Sequence, residues 1–330
     1  MDGALIAVDI QGFPERTLDK VDRLLGLLAE LGRHPVLKGK ICLHGGTAIN
    51  LFMLEALRLS VDIDLSYIGA AAREDMLAER PAIEKAVEEV VAFSGYTSSG
   101  GRGEHAGRTF HLKYLGDWGP DQIKIDLIYL NRVPLLAPQL KPCSIRPTLS
   151  ILTFSDIELI GGKTKALYDR VTVRDIYDIA HIKRYLDEAL LNSPELHELY
   201  HKVILFHASI SNHFPLPFEL RAIERFADLG KEMEDQLYPM LRLSERPSLE
   251  TMVDTAEDFI NRFVLPQHDT EREYLERFSR ADYCPELLFG EDSLMTAAAR
   301  LNPEALWKLQ NLKRMAEGSL RDGISISGVF

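Results

Sequence analysis

Apolar residues in the first part of the chain recur at two spacings that alternate along the sequence. Between residues 18 and 31 they recur every three or four positions, which predicts an amphipathic helix, and Pro35 follows as a stop signal. The apolar run at 41–43 leads into two glycines and therefore predicts a strand that enters a tight turn. Helical spacing returns over residues 47–57.

Two later segments alternate strictly between apolar and polar positions. In residues 61–68 the apolar side chains take every second position, which predicts a half-buried strand. Residues 122–130 repeat this pattern and predict a second such strand. The polar faces of these strands carry Asp62 and Asp64 on the first, and Lys124 and Asp126 on the second.

The remaining segments divide the chain into two parts of different character. A helix is predicted over residues 74–93 and a strand over 108–115, with a glycine-rich turn at 98–107. Prolines scattered over 134–147 predict an irregular connector, and helical patterns dominate beyond about residue 150. No internal repeat interrupts this organisation.

These patterns predict an α+β protein with two domains. Residues 1–150 are expected to form a mixed sheet with flanking helices, and residues 151–330 a helical domain that completes the active-site cleft. A chain of 330 residues is long enough for two domains of ordinary size.

Composition narrows the functional classes. Apolar residues make up 46% and charged residues 27%, and no apolar run approaches the roughly 18 residues of a membrane span. Three scattered cysteines and no recognisable leader predict a protein of the reducing cytoplasm. The net charge of −12 argues against a broadly basic surface, although a local basic groove for RNA can coexist with it. The acidity either favours a basic protein partner or is simply a solvated surface.

Asp62 and Asp64 are the first candidates for chemistry. Two carboxylates on one strand face lie roughly 6.5–7 Å apart along the backbone and converge on one point. Divalent cations such as Mg²⁺ or Mn²⁺ prefer such oxygen ligands, and two ions can serve the attacking and leaving oxygens of a phosphoryl transfer. Asp126 completes a triad of carboxylates if its strand lies beside the first.

The turn Gly45-Gly46-Thr47 is the second candidate. Glycines allow close approach to a phosphate, and a helix that starts at the turn offers free N–H groups and a partial positive charge. The Thr47 hydroxyl can bond a phosphate oxygen or cap the helix. Separately, a D-x-D strand is more often a solvated edge and a glycine pair more often a plain turn. Together, the glycine turn and the D-x-D strand are typical of one binding site for a nucleoside triphosphate and its metal ions.

The sequence around these residues resembles a known family. The segments HGGTAINLF (44–52) and RLSVDIDL (58–65) are similar to the signature of the AbiEii/MenT nucleotidyltransferase toxins, within the DNA polymerase β-like superfamily. A second segment, KTKALYDRVTVRDIYDI (163–179), is similar to a downstream block of the same family. No specific motif is recognised beyond about residue 180.

The resemblance implies roles for residues of both segments. Three would cradle the triphosphate: Gly45, Gly46 and Thr47. Asp62 and Asp64 would bind the metals, with Asp126 as a third ligand on the pattern of the wider superfamily. Lys163 would contact phosphate, and Asp178 would orient that lysine or the nucleotide.

Three further cations are candidate nucleotide ligands. Arg58 either holds a carboxylate in place or meets phosphate. Lys163 and Lys165 are two positions apart and point in different directions on a helix, so the choice between them stays open. Arg174 neighbours the helix face that carries the downstream aspartates. Surface ion pairs between two helices would explain the same cluster without any ligand.

The resemblance therefore implies transfer of a nucleoside monophosphate from an NTP to an acceptor hydroxyl. It points to the tRNA 3′ end as acceptor and to a cognate antitoxin protein encoded nearby. Two alternatives stay open: a transferase that modifies a small molecule or a protein hydroxyl, and a nucleotide-binding regulator without turnover.

Overall fold

The computed structural model describes residues 7–100, 106–191, 193–220 and 226–322. The described residues fall into two compact units. The first comprises the chain up to Leu159 together with a short later segment, Leu237–Arg246. The second comprises Ile160–Gln236 and the chain from Pro247 onward. The sequence placed the boundary at 150 and did not anticipate the returning segment. Residues 101–105 of the predicted glycine-rich turn lie outside the described residues.

A mixed sheet of seven strands forms the centre of the first unit in its described residues. The strands are β1 (Ile41–His44), β2 (Asp62–Tyr67), β3 (Thr97–Gly100), β4 (Gly107–Gly116), β5 (Gly119–Ile128), β6 (Gln139–Cys143) and β7 (Arg146–Thr153). Their order is β3-β4-β5-β2-β1-β7-β6. The pairs β2–β5 and β1–β7 are parallel, and the other neighbours are antiparallel. The predicted α+β class is confirmed.

The alternating segments behave as predicted because one face of each strand is buried. Ile63 on β2 and Ile125 on β5 are fully buried and paired in register, while the aspartates beside them remain half-buried. Two helices of this unit, α1 (Glu15–Arg33) and α3 (Arg73–Phe93), pack together, and α1 also contacts β2 and β7. The predicted helices at 18–31 and 74–93 are therefore confirmed.

The predicted connector at 134–147 is wrong, because this segment contributes to the β6–β7 hairpin. Pro142 lies in β6, the edge strand of the sheet, where a residue without an N–H costs no ladder hydrogen bond on the open side. Leu149 and Ile151 alternate with exposed Ser150 on β7, which is the signal that the prolines obscured. β7 then pairs with β1 and completes the sheet.

The helix predicted over residues 47–57 is shorter than expected. Four residues form α2 (Gly45–Ala48), a π-helical turn continues over Ile49–Met53, and the backbone then leaves the helix. Ala56 adopts a positive φ of 50°. The apolar residues of the segment are buried as an irregular turn rather than along a helix face.

The second unit is helical, as the sequence predicted. Its described helices are α4 (Asp156–Arg170, which begins in the first unit), α5 (Val173–Ala189), α6 (Pro194–Ser209), α7 (Phe226–Glu232), α8 (Leu249–Phe263), α9 (Asp269–Ser279), α10 (Glu286–Phe289), α11 (Leu294–Leu301) and α12 (Pro303–Asp322). A π-helical turn Met233–Leu237 and a 3₁₀ turn Tyr238–Met240 follow α7. Among the described helices, none combines the length and the apolar character needed to cross a bilayer.

A buried carboxylate ties three segments of the helical unit together. Glu271 at the start of α9 is fully buried, and its Oε2 lies 3.1 Å from Nε2 of His201 on α6. The same oxygen accepts the backbone N–H groups of Gln267 (2.7 Å) and His268 (3.0 Å). Burial alone would raise the pKa of Glu271, but these bonds lower it to about 2.

We expect Glu271→Gln to lower the melting temperature at neutral pH, with a deficit that shrinks in acid. Because the folded-state pKa lies below the ordinary value of 4.5, the carboxylate stabilises the fold above about pH 4.5, and this contribution is lost as the pH falls toward about 2. Circular dichroism melts between about pH 7 and pH 3 measure the difference. Glu273→Gln, at an exposed position of the same helix, is the matched control. A deficit that does not change with pH would contradict this account.

Candidate active site

The turn that follows β1 requires a residue without a side chain at Gly45. Its φ is +71°, in the left-handed region that favours glycine. A Cβ at Gly45 would lie 2.1 Å from Oδ2 of Asp64 and 3.0 Å from its Cβ. The Asp64 carboxylate therefore fills the space beside the glycine backbone, and any larger residue would displace it.

Gly46 is surrounded on its other side by Arg58 and Ser60. A Cβ at Gly46 would lie 3.0 Å from the Arg58 guanidinium and 3.2 Å from the Ser60 hydroxyl. Arg58 is only 3% exposed and donates to the Leu59 carbonyl at 2.9 Å. This location disfavours the direct phosphate contact foreseen for Arg58, because the guanidinium is buried against the Gly46 turn. The other foreseen role, holding a carboxylate in place, stays a prediction.

Thr47 joins the turn to the strand that carries the aspartates. Its side chain is fully buried, and its hydroxyl donates to the backbone carbonyl of Asp62 at 2.5 Å. The residue lies in the first turn of α2, whose N-cap is His44, so the N-cap alternative for Thr47 is wrong. Because the hydroxyl proton is already used, a phosphate would meet backbone N–H groups of this turn rather than the Thr47 donor.

The sheet register brings the three predicted carboxylates onto one face. Asp64 on β2 is paired with Asp126 on the parallel neighbour β5, and on its other side with His44 on β1. Asp62 lies two residues before Asp64 and faces the same way. Burial raises the pKa of Asp64, and repulsion from the Asp62 and Asp126 carboxylates adds to this shift, whereas His44 opposes it.

Lys124 and Thr109 were not among the predicted site residues, although both contact Asp126. Lys124 Nζ lies 2.7 Å from Oδ2 of Asp126, and the Thr109 hydroxyl donates to Oδ1 at 2.6 Å. Lys124 is paired with Asp62 across β2 and β5. The alternation of residues 122–130 already placed Lys124 on the polar face, so a sequence signal for it existed. Thr109 lies on β4, whose register with β5 the sequence does not show.

Two of the carboxylates have the chemistry that a divalent cation requires. Asp62 and Asp64 offer hard oxygen donors from one half-buried strand face, and their mutual repulsion is what a cation relieves. Within the described ranges, no group of three or more histidine, cysteine, aspartate or glutamate side chains has an arrangement suited to a metal ion. The residues therefore fit a cation held by a carboxylate pair, completed by water or phosphate oxygens.

In the helical unit, Lys163 lies at the centre of a buried ion network. The side chain is 5% exposed, and its Nζ lies 2.7 Å from Oδ2 of Asp178 and 3.1 Å from Oδ1 of Asp175. Asp175 and Asp178 are on α5 and are themselves fully buried. The structure thus joins the two predicted residues Lys163 and Asp178 directly.

Asp175 accepts hydrogen bonds from two further side chains. Arg170 donates to both of its carboxylate oxygens (2.7 and 2.9 Å), and the Thr172 hydroxyl donates at 2.6 Å. Burial would raise the pKa of Asp175, but Lys163 and these donors outweigh it and hold the pKa well below its ordinary range. This carboxylate is therefore a fixed anion that holds the α4–α5 corner together.

The other basic residues of the block separate into paired and unpaired cations. Lys165 is paired with Asp169 at 2.9 Å and lies 3.8 Å from Glu304, away from the α5 aspartates. Arg174 is half-buried and has no hydrogen-bond or ion-pair partner among the residues that the structure describes. Gly161 approaches His207 closely, since a Cβ there would lie 2.3 Å from its ring, so its small size is explained by packing against α6.

The first unit thus combines a glycine turn before a helix with a pair of aspartates on the next strand, a combination expected of a nucleotidyltransferase. The sequence matches the family described as nucleotidyl transferase AbiEii toxin of the type IV toxin–antitoxin systems over residues 27–277. The chain belongs to this family of toxins.

The solved structures similar to the chain include MenT4 and JHP933. MenT4, a nucleotidyltransferase toxin from Mycobacterium tuberculosis H37Rv, has 15% sequence identity and a TM-score of 0.51, with 89% of this chain and 92% of MenT4 covered. JHP933 from Helicobacter pylori has 13% identity and a TM-score of 0.46, with coverage of 81% and 96%. At such identity the likeness to MenT4 concerns the fold. A comparison with curated protein sequences gave no match.

We expect Gly45→Ala to destabilise the chain more than Gly39→Ala, a matched change at another positive-φ glycine. Both variants carry a left-handed backbone cost of about 1–2 kcal/mol. A Cβ at Gly39 meets nothing within 4 Å, whereas one at Gly45 collides with Asp64, which adds about 1–3 kcal/mol. Melting temperatures of the two variants measure the difference, and equal losses would refute the close contact with Asp64.

Proposed function

We propose that the chain transfers a nucleoside monophosphate from an NTP to an acceptor hydroxyl, with release of pyrophosphate. The observation that carries this proposal is the packing of the Asp64 carboxylate against the backbone of Gly45. This contact fixes a carboxylate pair beside a turn whose N–H groups suit a phosphate, so that one small region serves both the triphosphate and its cation.

Asp62 and Asp64 are the proposed ligands of the cation, Mg²⁺ or Mn²⁺, with Asp126 beside them as the third carboxylate. The bound cation would neutralise charge on the phosphate oxygens during transfer. The chain's own residues contribute position: Gly45 and Gly46 present backbone N–H groups, and Thr47 holds the turn against Asp62. The Arg58 guanidinium packs against Gly46 and supports the turn.

Basic residues of the helical unit are proposed to meet the phosphates. An ammonium group has three N–H donors, and Lys163 directs two of them at Asp175 and Asp178. The third would serve a phosphate oxygen, and the two aspartates orient the lysine. Arg174 is the stronger candidate for a direct contact, because no described residue engages its guanidinium. Lys165 is the weaker one, because Asp169 and Glu304 already surround it.

The family supplies the biological setting. Toxins of type IV toxin–antitoxin systems act with an antitoxin, and a nucleotidyltransferase uses an NTP. We take the tRNA 3′ end as the acceptor and the cytoplasm as the place of action. A protein hydroxyl or a small molecule could accept the nucleotide by the same chemistry. The remaining alternative is a regulator that binds the nucleotide without catalysing transfer.

Incubation of the chain with each α-labelled NTP, Mg²⁺ and total tRNA tests the activity. We expect label on RNA from the wild-type chain and a loss of at least about 100-fold in Asp64→Ala, because the cation and the turn both depend on that carboxylate. Asp117→Ala, at an exposed position in the turn between β4 and β5, should keep full activity. Label on protein or on a small molecule would replace the tRNA assignment, and release of no pyrophosphate with any NTP would refute the enzyme.

Arg174→Gln tests the assignment of a direct nucleotide contact in the helical unit. A charge-assisted hydrogen bond is worth about 1.5–3 kcal/mol, so we expect KM for the NTP to rise about 10–100-fold. The melting temperature should not change, because Arg174 has no partner to lose among the described residues. Arg184→Gln, at an exposed position further along α5, is the control. An unchanged KM would remove Arg174 from the site.

A further inference from the structure

The face of β2 and β5 that carries Asp62, Asp64 and Asp126, here called the carboxylate face, also contains the ammonium group of Lys124. Lys124 lies between Asp62 and Asp126: it is paired with the first in the sheet register and lies 2.7 Å from the carboxylate of the second. Its side chain is 39% exposed, so the ammonium lies at the mouth of the face rather than in the core. Three carboxylates therefore share one face with one ammonium.

Both oxygens of Asp126 already have a donor. Oδ1 accepts the Thr109 hydroxyl at 2.6 Å, and Oδ2 accepts Lys124 at 2.7 Å. A cation bound to Asp126 would lie beside the Lys124 ammonium, and repulsion between the two positive charges disfavours that position. Asp62 and Asp64 form no contact with Lys124 short enough to be an ion pair in the described structure.

The contacts of Asp126 fit a permanent pairing with Lys124, because the ammonium lies 2.7 Å from one carboxylate oxygen and the Thr109 hydroxyl holds the other at 2.6 Å. No described set of three carboxylates is arranged for a metal ion, which agrees with Asp126 being turned toward Lys124.

We propose that Lys124 is a built-in counter-cation, a positioning residue that keeps Asp126 out of the ligand set of the divalent cation. The cation ligands of the chain are then Asp62 and Asp64 alone. Asp126, held by Lys124 and Thr109, acts as a support that fixes the ammonium beside the cation. This inference rests on the proposed function, because it concerns the cation that function uses.

The test is the affinity and hydration of Mn²⁺ bound to the full chain, followed by electron paramagnetic resonance without substrate. Lys124→Met removes the ammonium and frees Asp126. We expect Mn²⁺ to bind at least about tenfold more tightly and to hold at least about one water fewer, since a new carboxylate displaces water. Broadening of the signal in ¹⁷O-labelled water counts the bound waters.

Two further variants separate ligation from a simple change in charge. The double variant Lys124→Met/Asp126→Ala removes the freed carboxylate, and we expect it to regain the water count of the wild-type chain. Lys113→Met, an exposed lysine on β4, should change neither quantity. If Lys124→Met fails to fold, Lys124→Leu replaces it with the same expected results, because leucine also removes the ammonium and cannot donate to Asp126.

A water count in the Lys124 variants equal to that of the wild-type chain would overturn the inference, since Asp126 would not have joined the ligands. So would a double variant that keeps the lower count. The same preparations are assayed for label transfer. Transfer by the wild-type chain together with an unchanged water count refutes only the role of Lys124. Absence of both transfer and Mn²⁺ binding in every variant refutes the proposed function and the inference with it.

Discussion

The absence of a side chain at Gly45 is the constraint on which the candidate site depends. β1 and β2 run antiparallel, so the residues that follow β1 turn back across the strand that carries the aspartates. His44 and Asp64 are partners in that register, and the next residue leaves just enough room for the Asp64 carboxylate. The Thr47 hydroxyl closes the same turn onto the backbone of Asp62. The turn proposed to bind phosphate and the carboxylate proposed to bind the cation are therefore in direct contact with each other.

The two units stabilise their charges by opposite means. In the helical unit Lys163, Asp175 and Asp178 are buried and face partners of opposite charge at 2.7–3.1 Å. Such a network is costly to disturb, because removal of one member leaves another charge buried and unpaired. The sheet face has an excess of carboxylates, and burial with mutual repulsion raises the pKa of Asp64. That unit is left under electrostatic strain of the kind that a bound cation relieves, which is common at functional sites.

Much of this arrangement could be predicted from the sequence because it depends on local periodicity. Strict alternation placed Asp62, Asp64 and Asp126 on polar strand faces, and the glycine pair marked the turn. What the sequence does not contain is the order of strands in the sheet. The parallel pairing of β2 with β5, which sets Asp126 opposite Asp64, skips two intervening strands. The hairpin β6–β7 was missed for a different reason: its prolines suggested a connector, although an edge strand tolerates them.

Side-chain partners were harder to predict than positions, and Lys124 shows why. Its place on the polar face followed from alternation, but its partner depends on which of three nearby carboxylates its flexible stem reaches. Asp126, the one it contacts, also accepts a bond from Thr109, on a strand whose register is unknown beforehand. Arg58 gives the converse case. A motif resemblance suggested a ligand contact or a structural one, and burial at 3% against Gly46 favours the structural one. In this chain the motif identifies which residues meet, while packing decides which of them remain open to a ligand.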